Sequence, residues 1–373
     1  MKSEKRKSRW ITISLLLCTG LLAIYVLMEL DEEQVTNALA SMKPFWIFML
    51  VGCMFLYYLF DGIKYMIVTR SFGCSQSFSE SLTTTMLGFF YSAITPLASG
   101  GQPFQVYHMH KKGMSLGTST SVICMVYVYW KIALVTMGLL GFFIYRNILL
   151  NNGPAWVPFL MLGWVLQAMA LGAVILSAVM PHWVKMIGST ILKVFFSIDV
   201  FSSRGITAER SIEKWTNFVD EYHTAFIDGT KDKKLVFYSL GCAFLELVAY
   251  MSVAYCSYRG FGMRGQPYYR VMFLQVLLYL GASLVPTPGA AGASEGGYMV
   301  VYKDLFGPHI TMSMLIWRLA TYYLTLLVGY LFIVYERVAP RREARKNAKH
   351  HQKPNVDSAE DLTGSSMEGS AQP

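Results

Sequence analysis

SLVPTPGAAGASEGGYMVVYKDLFG, residues 283–307, is the stretch whose reading decides the fold. It sits between two strongly apolar segments. Pro286, Pro288, Gly289, Gly292, Gly296 and Gly297 forbid a regular helix through its middle. Proline removes a donor and clashes with the preceding turn, and glycine costs about 1 kcal/mol of helix propensity. One carboxylate, Glu295, lies among these small residues. Irregular backbone survives at membrane depth only where protein or a wet cavity satisfies it. The stretch therefore reads as a site at membrane depth, with an ordinary aqueous loop as the alternative.

The rest of the chain supports a membrane setting. Of its 373 residues 54% are hydrophobic and 15% charged, with a mean hydropathy of +0.39. Soluble domains carry roughly 25% charged residues. The net charge of +9 is concentrated in the tails and certain loops, which suits an anionic leaflet better than nucleic acid. No nucleic-acid partner is expected. Cys18, Cys53, Cys74, Cys124, Cys242 and Cys256 are scattered with no CxxC, so they read as small buried residues. No nucleotide-binding motif occurs and no cofactor is expected, so the driving force of any transport is not internal ATP hydrolysis.

Apolar runs predict spans at 10–28, 44–68, 118–145, 155–180, 235–255 and 311–335. A second breaker-rich segment, 82–109, breaks at Thr95-Pro96 and again at Gly100-Gly101-Gln102-Pro103. Arg70 before it and Lys111 and Lys112 after it share the basic bias of a cytoplasmic face, which fits a hairpin entering and returning from one side. A single crossing with a loop is the alternative. The expected fold is an all-α polytopic membrane protein with about six full spans plus two broken or re-entrant hairpins in an inverted repeat. The expected division is a basic cytoplasmic segment 1–10, a transmembrane domain 11–335 and a polar, largely disordered tail 336–373. The domain's halves are about 11–150 and 155–335, with a cytoplasmic loop at 181–234. Both termini are then cytoplasmic. Arg259, Arg264 and Arg270 run against this topology, since they fall in a loop placed outside.

Charges inside spans are the next signal, because an intramembrane ionisable group is costly unless it pairs or functions. Lys131, Glu246 and Arg318 are such groups. Glu295 is expected to receive a cationic headgroup or to pair with Lys131 or Arg318, and Glu246 to pair with Lys131. Asp61 and Lys64 share a helix face near a span's end and read as anchors or a local pair. His108 and His110 read as interfacial anchors. Gly100, Gly101, Gly289 and Gly292 allow close backbone approach.

Two stretches carry a family resemblance: ITPLASGGQPFQVYHMHKKG (94–113) and PTPGAAGASEGGYMVVYKDLFG (286–307). Together they resemble the transmembrane domain of bacterial lysylphosphatidylglycerol synthetase/flippase proteins, over about residues 5 to 340. Pro288-Gly289, Gly292 and Glu295 match that family's second signature, and Gly100-Gly101 its first. Gln102 stands where a carboxylate often appears, and Gln105 near the usual arginine. The resemblance implies a lipid translocase in a bacterial cell membrane. It would handle a membrane phospholipid such as aminoacyl-phosphatidylglycerol and contribute to envelope charge and cationic peptide resistance. The substrate or translocation residues it implies are Glu295, Pro288, Gly289, Gly292, Gly100, Gly101, Gln102, Gln105, Arg318 and Lys131. Members that make aminoacylated lipid carry a large soluble C-terminal domain, whereas only a short polar tail follows Tyr335 here. A separate lipid-modifying enzyme is thus an expected partner. A phosphatidylglycerol lysyltransferase-type enzyme and a non-transporting envelope scaffold are the alternative functions.

Overall fold

The computed structural model describes residues 32–74, 76–150, 156–196 and 208–336, and among these the fold is all-α with no strand. The expected span at 10–28, the basic segment before it and the tail beyond 336 lie outside the described residues. One compact unit, Met1–Gly329, holds everything discussed below. A second begins at Tyr330, and its described part, 330–336, is helical.

A short helix, α1 (Glu32–Ser41), precedes α2 (Pro44–Ser71), which opens on proline where the missing N–H has no intrahelical partner to lose. The next helix, α3 (Phe78–Ile94), begins with a reciprocal cap. The Glu80 N–H donates to the Ser77 hydroxyl at 3.3 Å and the Ser77 N–H donates to the Glu80 carboxylate at 3.0 Å. Those bonds hold the Glu80 carboxyl below the usual carboxylate range. Beyond a break come α4 (Gly101–Lys111), α5 (Leu116–Leu150), α6 (Val157–Val179), α7 (Pro181–Phe196) and α8 (Ala208–Gly229). Asp232 caps α9 (Lys233–Gly260) by accepting from the N–H groups of Lys234 and Leu235. Then follow α10 (Tyr268–Ala282), a second break, α11 (Ala293–Phe306) and α12 (Ile310–Arg318), which runs into a π-helical turn, Leu319–Tyr323.

Five segments are long and apolar enough to cross a bilayer: Pro44–Ser71, Leu116–Asn147, Val157–Val179, Lys233–Gly260 and Pro288–Glu336. They take in the spans expected from 44 onward. The 17 residues of α3 reach only roughly 25 Å, short of the ~30 Å hydrocarbon thickness. Helices α4, α10 and α11 are shorter still. The stretch 181–234, expected as a cytoplasmic loop with an amphipathic helix over 208–226, is built mainly from the amphipathic pair α7 and α8, packed on each other.

In lipid, apolar burial does not hold helices together; close packing at small residues does. Nearly half of α6 is exposed, and that face is apolar, including Phe159, Leu162, Leu166 and Met169, as a lipid-facing helix must be. Its inner face meets α10 at Gly163, where an added Cβ would lie 2.3 Å from the Leu280 carbonyl oxygen. Backbone cannot step aside as a side chain can. Gly163→Ala is therefore expected to cost about 1–3 kcal/mol, read as a lower unfolding temperature in detergent. An unchanged unfolding temperature would mean that α6 and α10 do not meet there. The central pair is α2 packed along α9, and α5 and α10 complete the core around them.

Candidate functional site

The two breaks share one local design. Residues 95–100 read TPLASG and residues 287–292 read TPGAAG. In each, the threonine is extended (φ −113°, ψ 146° at Thr95; φ −104°, ψ 153° at Thr287). The proline starts a single 3₁₀ turn, and the next two residues are left-handed: Leu97 and Ala98 in one (φ 53° and 54°), Gly289 and Ala290 in the other (φ 59° and 52°). Threonine hydroxyls stitch the gaps. Thr95 Oγ1 donates to the Tyr91 carbonyl at 2.7 Å and accepts from the Gly100 N–H at 2.9 Å. Thr287 Oγ1 donates to the Ala291 carbonyl at 2.9 Å. The two breaks pack against each other. This satisfies part of the irregular backbone inside protein, as membrane depth demands.

Arg318 ties the second break to α12. Its Nε donates to the Glu295 carboxylate and its Nη2 donates to the Gly289 carbonyl at 3.1 Å. The other oxygen of Glu295 accepts from the Gly292 N–H at 2.7 Å, so this side chain also caps α11. Gly292 takes φ 85°, a conformation glycine adopts without strain. The Tyr322 ring covers Gly289 so closely that an added Cβ would sit 2.2 Å from it. The Tyr322 hydroxyl donates to the Ala93 carbonyl at 3.3 Å, reaching across to the first break.

A cavity of about 460 Å³ lies between the breaks and the long helices, within the roughly 300–1,000 Å³ of ligand pockets. Of the residues expected from sequence, Gln102, Gln105, Lys131, Gly289 and Arg318 line it. Glu295 does not line it but stands behind Arg318, and Pro288, Gly292, Gly100 and Gly101 shape the breaks. Gln105 is buried, donating to the Thr84 carbonyl at 3.1 Å. Gly101 approaches α3 closely, since a Cβ there would lie 2.7 Å from the Gly88 carbonyl oxygen. His108, expected at the interface, is buried instead.

The expected pairing of Glu246 with Lys131 is not found. Glu246 binds Lys64 of α2, which also holds Asp61 at 2.8 Å. All three line the cavity and are nearly inaccessible, at 1% for Lys64, 1% for Glu246 and 4% for Asp61. The Lys64 ammonium also lies 5.7 Å from the centre of the Trp130 ring. Sequence reasoning saw Asp61 and Lys64 as a local pair and missed their part in the cavity. Lys131 instead donates to the Gln167 side-chain oxygen and sits 4.9 Å from the Tyr127 ring centre. Gln167 Nε2 donates onward to the Ser283 hydroxyl at 2.7 Å. Tyr57 stacks on Phe89 at 4.7 Å and approaches Tyr250 at 4.8 Å, forming an aromatic wall.

The cavity's charged residues are three cations, Lys64, Lys131 and Arg318, and two carboxylates, Asp61 and Glu246. Arg318 is answered by Glu295 outside the lining, and Lys64 by both carboxylates. Lys131 has no carboxylate partner among the described residues. Gln275 and Trp317 also belong to the cavity wall, with their Nε2 and Nε1 atoms buried behind its surface. Such a set suits an anionic oxygen-rich group. Among the described residues no cluster of His, Cys, Asp and Glu has the makings of a metal site.

Long apolar helices around an internal cavity with charged residues in its wall, closed by two broken segments, define a polytopic membrane protein. The chain belongs to the family described as the lysylphosphatidylglycerol synthase TM region, matched over residues 11–329. It is similar to a UPF0104 membrane protein of Archaeoglobus fulgidus, 22% identical over 343 residues, covering 84% of this chain and 93% of the relative. It is also similar to the uncharacterized protein MG306 of Mycoplasma genitalium, 25% identical over 132 residues, 35% of this chain and 34% of that one. The family is the one indicated by the two signature stretches, and its name implies contact with membrane phospholipid.

Proposed function

We propose that this protein is a flippase-type lipid translocase of a bacterial cell membrane, whose cavity receives the headgroup of a phospholipid such as aminoacyl-phosphatidylglycerol. The observation that carries this reading is the pair of like-built breaks, packed together and walling one cavity that holds Lys131 and Arg318. Gly/Pro-interrupted segments at matching positions of two halves are the best pointer to a transporter site. In this reading the halves form an inverted repeat. Supporting it, the order of elements recurs: helices starting at 44 and 78, the break at 96, then helices starting at 101 and 116 in one half, and helices starting at 233 and 268, the break at 288, then helices starting at 293 and 310 in the other. Each half also carries a carboxylate before its break (Asp61, Glu246) and a base after it (Lys131, Arg318).

The lipid phosphate is assigned to Lys131, whose ammonium lacks an opposing carboxylate among the described residues. Gln102 and Gln105 line the first break's side of the pocket. Glu295 acts through Arg318, which holds the Gly289 carbonyl and so the shape of the second break. Gly100, Gly101, Pro288 and Gly292 give the breaks their path.

A leaflet-resolved assay in reconstituted vesicles tests this reading. Labelled aminoacyl-phosphatidylglycerol is expected to reach the opposite leaflet faster with the protein present, and Glu295→Gln to slow it several-fold. Equal rates with and without protein would sink the translocase reading. Newly made aminoacyl lipid on addition of charged tRNA would favour a transferase instead. Cysteines placed singly at Lys111 and Lys303 are expected to label from opposite sides of the membrane. Labelling from one side would exclude the inverted repeat.

A further inference from the structure

The cluster of Asp61, Lys64 and Glu246 is one positive charge short. Two carboxylates share a single ammonium in a pocket wall where all three are nearly inaccessible. The Asp61 and Glu246 carboxyl groups are neighbours across the Lys64 ammonium that both contact. The groups facing them from the surrounding helices do not supply the missing charge. Tyr57 and Tyr65 of α2, Cys242 and Tyr250 of α9 and Tyr279 of α10 are phenols and a thiol, ordinarily uncharged at neutral pH. Trp130 of α5 offers the face of its ring to Lys64, and Arg318 of α12 is already answered by Glu295.

In the empty cavity the remaining cation, Lys131, balances this excess. A phosphate bound at Lys131 would consume that balance and leave the cluster's one excess negative charge uncompensated in a low-dielectric space. The cheapest remedy is a proton, since a carboxyl in such surroundings neutralises more readily than it stays charged.

We propose that Asp61 and Glu246 form a proton-binding site coupled to the headgroup site, so that an anionic phospholipid enters the cavity together with one proton taken from water. The proton is shared between the two carboxyl groups, Lys64 keeps its own, and the proton is released when the lipid leaves. Binding linkage is reciprocal, so raising the pH weakens binding of the anionic lipid, and the lipid raises proton occupancy. The proposal rests on the reading of the cavity as a headgroup site and concerns headgroups of net negative charge; an aminoacyl headgroup, whose own ammonium offsets its phosphate, brings no proton.

Proton uptake on lipid binding tests it. Short-chain phosphatidylglycerol is added to the purified full-length protein in weakly buffered detergent with a pH indicator, while binding is followed separately. The expected result is uptake approaching one proton per bound lipid, with an infrared difference signal for conversion of a carboxylate to a carboxylic acid. Uncharged-overall short-chain phosphatidylcholine is expected to give neither. Asp61→Asn and Glu246→Gln are each expected to remove the uptake and the infrared signal. Phosphatidylglycerol binding without uptake, or uptake without the carboxyl signal, overturns the proton site and leaves the headgroup reading standing. No binding of either lipid overturns the headgroup reading, and this proposal with it. The decisive measurements are made on the unaltered protein, so a variant that fails to fold does not blunt them.

Discussion

Lys64→Met is expected to cost the folded protein about 3–5 kcal/mol, because it strips from two buried carboxylates the one cation that pairs with them among the described residues. The loss is not that of a surface ion pair. Both carboxyl groups stay in the pocket wall, and their burial is what makes the missing ammonium expensive. Thermal unfolding in detergent and the yield of folded protein read this directly. The triple replacement Asp61→Asn, Lys64→Met, Glu246→Gln is expected to recover a large part of the loss, since exchanging a whole buried ionic group for neutral ones can be nearly neutral. A Lys64→Met protein as stable as the parent would show that the cluster is not formed.

Arg318→Leu is expected to act on transport more than on folding. It removes the charge-assisted bond to Glu295 and the bond to the Gly289 carbonyl, each a tie between α12 and the second break. Charge-assisted bonds of this kind are worth about 1.5–3 kcal/mol. If that energy holds the break in its working shape, translocation falls by about tenfold or more, a factor of ten per 1.4 kcal/mol. Arg318→Lys keeps the charge but cannot reproduce the forked pair of bonds, so an intermediate rate is expected. A normal rate and normal yield in Arg318→Leu would remove Arg318 from the site. The leaflet assay, normalised to folded protein, separates these outcomes.

Much of this arrangement was readable in the amino-acid sequence. Pro288 and the glycines around it cannot continue a helix, so the second break was placed by local chemistry alone. Lys131 and Arg318 stood out because apolar runs seldom tolerate charge. The first break was placed at Thr95-Pro96, where it is found, although its left-handed residues, Leu97 and Ala98, carry no glycine signal. The further break expected at Gly100-Gly101-Gln102-Pro103 is instead the start of α4, where a proline in the first turn is tolerated. The recurrence of T-P-x-A-x-G at 95–100 and 287–292 was a usable signal that pattern reading by composition passed over.

Other features could not be read from one strand of text. Lys64 and Glu246 meet through the packing of α2 on α9, and nothing local announces a partner so distant in sequence. Asp61 and Lys64 looked like an anchor near a span's end because hydropathy gives a span's existence, not its depth or tilt. Arg259, which strained the positive-inside argument, lies 5.4 Å from the centre of the Trp46 ring. A cation held over an indole face can be positioned by packing as well as by the membrane's charge asymmetry.

The left-handed pairs at the two breaks have a mechanical meaning. Leu97, Ala98 and Ala290 sit in a conformation that costs a side-chain-bearing residue about 1–2 kcal/mol, so the backbone is wound at these points and slack elsewhere. Because both wound points lie back to back, rocking of one half against the other would turn about the cavity itself, like scissors about their rivet. Displacement would then be least beside the breaks, where the cavity lies, and largest at the ends of α3, α4, α10 and α11 that lie farthest from them.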